Sequence, residues 1–397
     1  MMLNTLKQPV ALLTLSLTLL AGCGQSSDTA SSAETHGALA VAHHLSAGID
    51  ETMDRDRVLS EIAVEYVHQG DSHRAAAVAR EIEGAVDRSW AEAAIAAHFA
   101  SNGEQEQAEH GFVRALGIID NEPDADDQAW MLADLAGRYQ EAGQNGMALQ
   151  VLERALAQAD TLDEPQRQAW LLAEIGGRLG ALGERDQAAE VLSRSYETGG
   201  NVGSPPEVVQ LLLWQADRQH KAGNDVRALE LLMQADSLVE RVKDDLGATQ
   251  ISLDLAEMAR LYGVLGQQEQ AVEVLERALE LVPSIQDVFL ETRSRLVIAG
   301  IYSGLPEQEQ ARKLLASLDE AVSSRSDATE RRVLTTKLAI AHAEAGQFTR
   351  ALTQAGAIDG AYDQSWAVTR IAAAYTAAGK TPEPQQQVLL QTMNGHL

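Results

Sequence analysis

A turn residue recurs along this chain at intervals that leave the fold little freedom. Gly70, Gly103, Gly143, Gly183, Gly223, Gly266, Pro306, Gly346 and Gly379 follow one another at steps of 33, 40, 40, 40, 43, 40, 40 and 33. Seven positions before each of these markers is a small residue: Ala63, Ala96, Ala136, Gly176, Ala216, Ala259, Ala299, Ala339 and Ala372. Five positions after the first eight is always alanine, at 75, 108, 148, 188, 228, 271, 311 and 351. The wording itself repeats: DQAWMLADLAGRYQEAGQ (127–144) is rewritten as RQAWLLAEIGGRLGALGE (167–184). A period of this size marks stacked supersecondary units, none of which buries its apolar face alone.

Each unit reads as two helices. In the third, Leu132, Leu135, Ala136 and Tyr139 recur at i, i+3, i+4 and i+7, and after Gly143 a second stripe follows at Ala148, Leu152 and Ala155. Glycine between the stripes suits the left-handed residue that ends a helix. The next residue is polar in every case (Asp71, Glu104, Gln144, Glu184, Asn224, Gln267, Glu307 or Gln347) and is expected to start the second helix as its cap. The small residues seven before and five after the marker let the two helices approach closely.

These residues resemble the tetratricopeptide repeat. Its succession of large apolar, small, aromatic, Gly and Ala falls here on Leu135, Ala136, Tyr139, Gly143 and Ala148. The aromatic recurs as Tyr66, Phe99, Tyr262, Tyr302 and Tyr375 and lapses to Leu179, Gln219 and His342. The resemblance spans residues 57 to 393 and implies an all-α fold, an α-solenoid of about nine stacked helix-turn-helix units. The family's common unit is about 34 residues long. The extra residues of the longer units in this chain are therefore expected in longer second helices and return loops. The family's large aromatic two turns before Gly is replaced by Leu132, Leu172, Leu212 and Leu255, and its terminal Pro is mostly missing. YETGGNVGSPPE (196–207) is the weakest joint, a candidate hinge, and it leads into a helix with Gln215 and Gln219 at apolar positions. Pro384 stands where the repeated Ala belongs, so TPEPQQQVLLQTM reads as a polar capping helix, and residues 38–56 as a capping segment at the other end.

The beginning of the chain, 1–22, reads as a secretory signal: MMLNTLK, the apolar run PVALLTLSLTLL, then Leu20-Ala-Gly-Cys23. The ending resembles a bacterial lipoprotein signal with its lipobox. That resemblance implies cleavage before Cys23, lipidation of Cys23 and, with Gly24 rather than Asp following, an outer-membrane address facing the periplasm. Residues 23–37 are then a flexible tether of small polar residues. Cys23 is the only cysteine, which excludes an intramolecular disulfide, a thiolate nucleophile in the mature fold and a cysteine-based metal site. With 58 acidic against 31 basic residues the formal charge is −27, and the signal would take one Lys and no acid with it. So acidic a surface repels phosphate backbones and anionic headgroups, and no nucleic-acid partner is expected.

No phosphate loop, nucleophile elbow, His-Glu-x-x-His or paired-cysteine spacing is present, and neither cofactor nor metal is expected. The acids of DNEPDADD (120–127) alternate as in a calcium loop but lack its central Gly and closing Glu, and they read as a solvated loop. Tryptophans supply the remaining signal. Trp90, Trp130, Trp170 and Trp366 each stand thirteen positions before a marker, whereas Trp214 is four positions further along its helix. In the resembled family, that position and those three and seven further on border the concave surface. The resemblance therefore makes Trp90, Trp130 and Trp170, with Ala97, Gly137 and Gly177, candidate contacts for a peptide or partner protein; aromatic anchors of this kind are common hot spots. The alternative is that each Trp packs against the neighbouring first helix and spaces the stack.

The expected protein is a non-catalytic, lipid-anchored interaction scaffold with an unidentified protein partner. A structural or accessory subunit of an envelope assembly, secretion or exopolysaccharide export machine is the alternative. An enzyme with its site in the groove is the remote one.

Overall fold

The computed structural model describes residues 37–200, 204–243, 246–306 and 308–395. The described residues form one compact unit. Among the described residues the regular structure is helical throughout, and no helix is long and apolar enough to cross a membrane. The chain begins with α1 (Ala38–Ser46) and continues as eight hairpins. These are α2 (Thr52–His68) with α3 (Ser72–Ala79), α4 (Ala85–Ser101) with α5 (Gln105–Asp120), α6 (Ala125–Glu141) with α7 (Asn145–Ala159), and α8 (Pro165–Ala181) with α9 (Arg185–Gly200). There follow α10 (Pro205–Lys221) with α11 (Asp225–Val242), α12 (Ala248–Val264) with α13 (Gln268–Leu281), α14 (Val288–Ser303) with α15 (Gln308–Ser323), and α16 (Ala328–Glu344) with α17 (Phe348–Gly356). The last two helices are α18 (Ala361–Ala377) and α19 (Pro384–Asn394).

Glycine makes each hairpin turn for a stereochemical reason. Gly143 sits at φ 71°, and its equivalents in seven other units also take positive φ, where a Cβ would be strained. The following amide then reaches back five positions, as Gln144 N–H does to Tyr139 O at 2.8 Å and Lys380 N–H to Tyr375 O at 3.0 Å. This reach satisfies a carbonyl that the helix end leaves free. Pro306 cannot take that conformation, and α14 closes instead through Leu305 N–H to Tyr302 O at 3.1 Å. The polar residue after the turn does less than expected. Asp71 caps α3 by accepting from Arg74 N–H at 2.9 Å. Glu104, Gln144, Asn224, Gln267 and Gln347 make no such bond. Glu and Gln are one methylene longer than the side chains that cap well, and Asn224 donates to Gln219 Oε1 at 3.1 Å instead.

The alanines before and after each turn are sealed in the hairpin: Ala136 is 1 % exposed and Ala148 0 %. In the two shortest units the second helices α3 and α17 have 8 and 9 residues, against 14 to 18 in the longer units. The extra residues of the longer period are therefore largely second helix.

The first helices form a closed circuit. Each of α2, α4, α6, α8, α10, α12, α14 and α16 packs on the next, α16 packs on α18, and α18 packs on α2. Consecutive second helices from α3 to α17 share no comparable interface. Only the inner layer of a ring brings neighbours that close while its outer layer splays, so the first helices line a lumen and the second helices form the rim.

Closure depends on α1. It packs along α18 as each second helix packs along its own first helix. The hydrogen bonding repeats that role: Ser252 Oγ donates to Ala278 O within the α12–α13 hairpin, and Ser365, at the equivalent place in α18, donates to Ala42 O of α1 at 2.6 Å. One continuous core joins Leu39, Val41, Leu45 and Ile62 from the beginning of the chain to Val368, Ile371 and Leu390 from its end. The segment expected to cap a free end thus completes the ninth hairpin. In turn α19, displaced from that role, packs on α17 and α1.

The joint expected to be weak is bridged. Gln215 is 2 % exposed and donates to Ser195 Oγ at 2.9 Å, and that hydroxyl donates to Ala169 O at 2.6 Å. The apolar core is interrupted here, between α9 and α10, and the polar chain takes its place.

Candidate functional site

At 100° per residue, positions 13, 9, 6, 5 and 2 before the marker fall on the helix face opposite the small residue at position 7. Position 7 packs on the rim helix, so those five positions face the lumen. Trp90, Trp130, Trp170 and Trp366 are all half-buried there. Trp130 packs against the core of the second to fourth hairpins, and Trp366 against the closure core beside Tyr362. Trp214, which the sequence pattern set apart, belongs to the wall. Its ring stacks on Trp170 at 5.7 Å between centroids, because position 9 of one inner helix meets position 13 of the helix before it.

The small residues of this wall are not vacant. Ala97 is buried at 3 % exposure within the core. A Cβ on Gly137 would fall 1.7 Å from Arg178 Nη1, and one on Gly177 would fall 2.8 Å from Arg218 Cβ. The two glycines are the beds in which arginines from the next inner helix lie. Arg218 also covers Trp214, its guanidinium carbon 4.4 Å from the ring centroid, and Arg138 covers Trp90 at 5.4 Å. Both are cation–π contacts.

These arginines carry a chain of charge across four inner helices. Asp134 Oδ1 accepts from Arg178 Nη2 at 2.9 Å, and Arg178 Nε pairs with Glu174 at 2.8 Å. Glu174 also pairs with Arg218 Nε at 3.0 Å. Arg218 lies 3.5 Å from Asp217, which binds Lys221 at 2.8 Å and Arg260 at 3.4 Å, and Arg260 reaches Glu257 at 2.6 Å. Burial alone would raise the Glu174 carboxyl, but Arg178 and Arg218 outweigh it and hold it below its ordinary range. At Asp217 burial likewise pushes upward and is outweighed by Arg218 and Lys221.

Sequence reasoning missed these arginines although a signal was present. Arg138, Arg178 and Arg218 recur in step with the repeat, the first two directly after the glycines that were singled out. Two further sequence features have structural explanations. Asp124 caps α6 by accepting from the amides of Asp126 and Asp127, and Asp126 is paired with Arg167. Where Gln219 replaces the repeated aromatic, a cleft of about 720 Å³ opens on the rim between α9 and α11, lined by Leu192, Tyr196, Gln215, Gln219 and Val226. Cys23 lies outside the described residues.

Neither a family model nor a curated protein matches this chain. Among solved structures it is similar to Ton1535 from Thermococcus onnurineus NA1, at 18 % identity over 83 % of this chain and 97 % of that one, with a TM-score of 0.39. It is similar to a putative kinesin light chain with nearly identical TPR-like repeats from Podosopora anserina, at 21 % identity over 49 % and 93 %, with a TM-score of 0.33. A Rap protein complexed with competence and sporulation factor shares 14 % identity over 77 % and 96 %, with a TM-score of 0.32.

Proposed function

We propose that this chain is a non-catalytic interaction scaffold that receives a polypeptide partner in the lumen of its ring. The observation that carries the reading is the inner wall from α4 to α10. Four tryptophans lie there, with arginines over two of them. Half-buried aromatics with charged neighbours are the residues from which binding hot spots are built. The paired acids and bases fix the arginines, so the wall meets an occupant with its side chains already placed.

The scaffold is held at the envelope membrane through lipid on Cys23, with 23–37 as its tether; the support is the Leu-Ala-Gly-Cys ending of the apolar leader. It faces the periplasm from the outer membrane and serves there as an organising or accessory part of a larger assembly.

A photo-crosslinking residue placed at Trp130 or Trp170 in cells should capture one dominant protein, whereas the same residue at Val113 on the rim should not. Equal labelling from both positions would remove the lumen as the binding surface. The double change Trp130→Ala and Trp170→Ala should abolish capture with only a small loss of thermal stability. A collapse of stability would instead assign the tryptophans to packing. Cys23→Ala should release the protein into the soluble fraction.

A further inference from the structure

The lumen also carries a charge arrangement that the ion-paired wall does not absorb. Arg293 on α14 stands thirteen positions before its marker and Lys337 on α16 nine before its own. That is the relation between Trp170 and Trp214, whose rings stack, and α14 packs directly on α16. Where those two indoles meet, this part of the ring sets two cations side by side.

Among the described residues, neither cation has a hydrogen bond or a carboxylate within ion-pair distance. The contrast with the other arginines whose Nε is buried is sharp. Four more have a buried Nε without a hydrogen bond, and each keeps a carboxylate within reach: Arg178 and Arg218 with Glu174, Arg332 with Asp363 at 2.7 Å, and Arg295 with Glu291 at 2.8 Å. Arg293 Nε is equally buried and has none. Lys337 faces Arg293 from α14 and Asp363 from α18, but Asp363 is already bound to Arg332. Burial first, and then the Arg293 charge, push the Lys337 ammonium below its usual range. A half-buried like-charge pair costs stability unless an anion completes it.

We propose that Arg293 and Lys337 form an oxyanion site in the lumen, filled by a phosphate-like or carboxylate group that accepts from both side chains. The guanidinium offers a planar fork and the ammonium a compact point charge, a combination suited to a tetrahedral or planar oxyanion. The oxyanion comes from a free small anion or from an acidic side chain of whatever occupies the ring. The site stands whether or not a polypeptide enters.

Calorimetric titration of the whole protein with inorganic phosphate, and separately with a short Glu-containing peptide and its Gln analogue, tests this. Saturable binding of phosphate assigns a free anion. Binding of the Glu peptide but not the Gln peptide assigns a carried carboxylate. Either should weaken at least tenfold in Arg293→Gln with Lys337→Met, and should weaken as salt rises. Lys313→Gln, on the rim, should leave it unchanged. The thermal midpoint gives an independent reading: with no anion present, Lys337→Met should raise it, because a repulsion is removed. Three results would overturn the site: no saturable binding of either probe, binding that survives the double change, or a loss as large with Lys313→Gln. A fall in the midpoint of Lys337→Met would likewise show that the lysine already has a stabilising partner.

Discussion

Ring closure can be attacked without touching the repeats. Leu39 and Leu45 are each 2 % exposed where α1 covers α18. A buried Leu→Ala change removes about 2–5 kcal/mol, so Leu39→Ala with Leu45→Ala removes about 4–10 kcal/mol if the two add. That loss falls on one interface. In a solenoid each unit depends mainly on its immediate neighbours, so the remaining hairpins keep their contacts while the joint between α18, α1 and α2 gives way. The expected product is an open superhelix rather than an unfolded chain.

Small-angle scattering should show a larger radius of gyration, and amide exchange should accelerate in α1, α18 and α19 before it does in α6 to α12. Leu152→Ala in α7, a truncation of the same size at 1 % exposure, should lower stability without changing the radius. A short thiol crosslinker between cysteines at positions 69 and 376, where Gln69 Nε2 donates to Thr376 Oγ1 at 3.3 Å, should restore the compact form. If the double variant keeps the wild-type radius and the wild-type protection of α18, closure does not rest on α1.

Other expectations follow from single groups. Burial raises the carboxyls of Glu61 and Asp254 to about 7, against the partial opposition of Arg370 at Glu61 and of a Gln250 hydrogen bond at Asp254. Their unfolded values lie near 4, so the folded state binds these protons more tightly. The stability each contributes is fully present below about pH 4 and is lost as the pH rises to about 7, about 3–4 kcal/mol per group at most. Asp254→Asn should therefore stabilise the protein at about pH 8 and flatten the difference between urea midpoints at about pH 5 and pH 8; an unchanged difference would show that Asp254 ionises freely in the fold. Gly177→Ala gains helix propensity but drives a Cβ against the Arg218 stem at 2.8 and 2.9 Å, and should cost about 1–3 kcal/mol. Gly117→Ala, on the exposed face of α5 with nothing near its Cβ, should instead gain about 0.5–1 kcal/mol. Equal effects in calorimetry would contradict the role given to Gly177.

Much of the hairpin was legible because it is decided locally. A glycine at positive φ, an alanine on each side of it and an apolar stripe are requirements within one unit, and the sequence repeats them with each unit. The position of the longer units' extra residues was legible for the same reason. Closure was not, since it depends on small rotations between units summed around the ring, and no single unit encodes that sum. Its traces were nevertheless present at the two ends. Pro384 breaks the alanine rule where α18 lacks a rim helix of its own, and ALAVAHHLS is an apolar helix that lies outside the repeated pattern. Each end reads as a cap when considered alone, but together they make one hairpin. Similarly, Gly137 and Gly177 looked like space for a ligand, because a glycine in one helix does not reveal that an arginine of the next unit will lie across it.

The filled wall changes what kind of occupant the ring can hold. An open concave groove lined by small residues accepts an extended backbone along its length and discriminates little among side chains. Here the small positions are spent on Arg178 and Arg218, the charges are paired from Asp134 through Glu257, and an entering chain meets indole edges and guanidinium faces. Closure adds a second restriction, because a lumen bounded by nine inner helices is entered from its ends or through the α1–α18 joint. The net charge of −27 disfavours anions at long range. An oxyanion that reaches Arg293 and Lys337 must therefore be selected at short range, by two donors that make no hydrogen bond among the described residues.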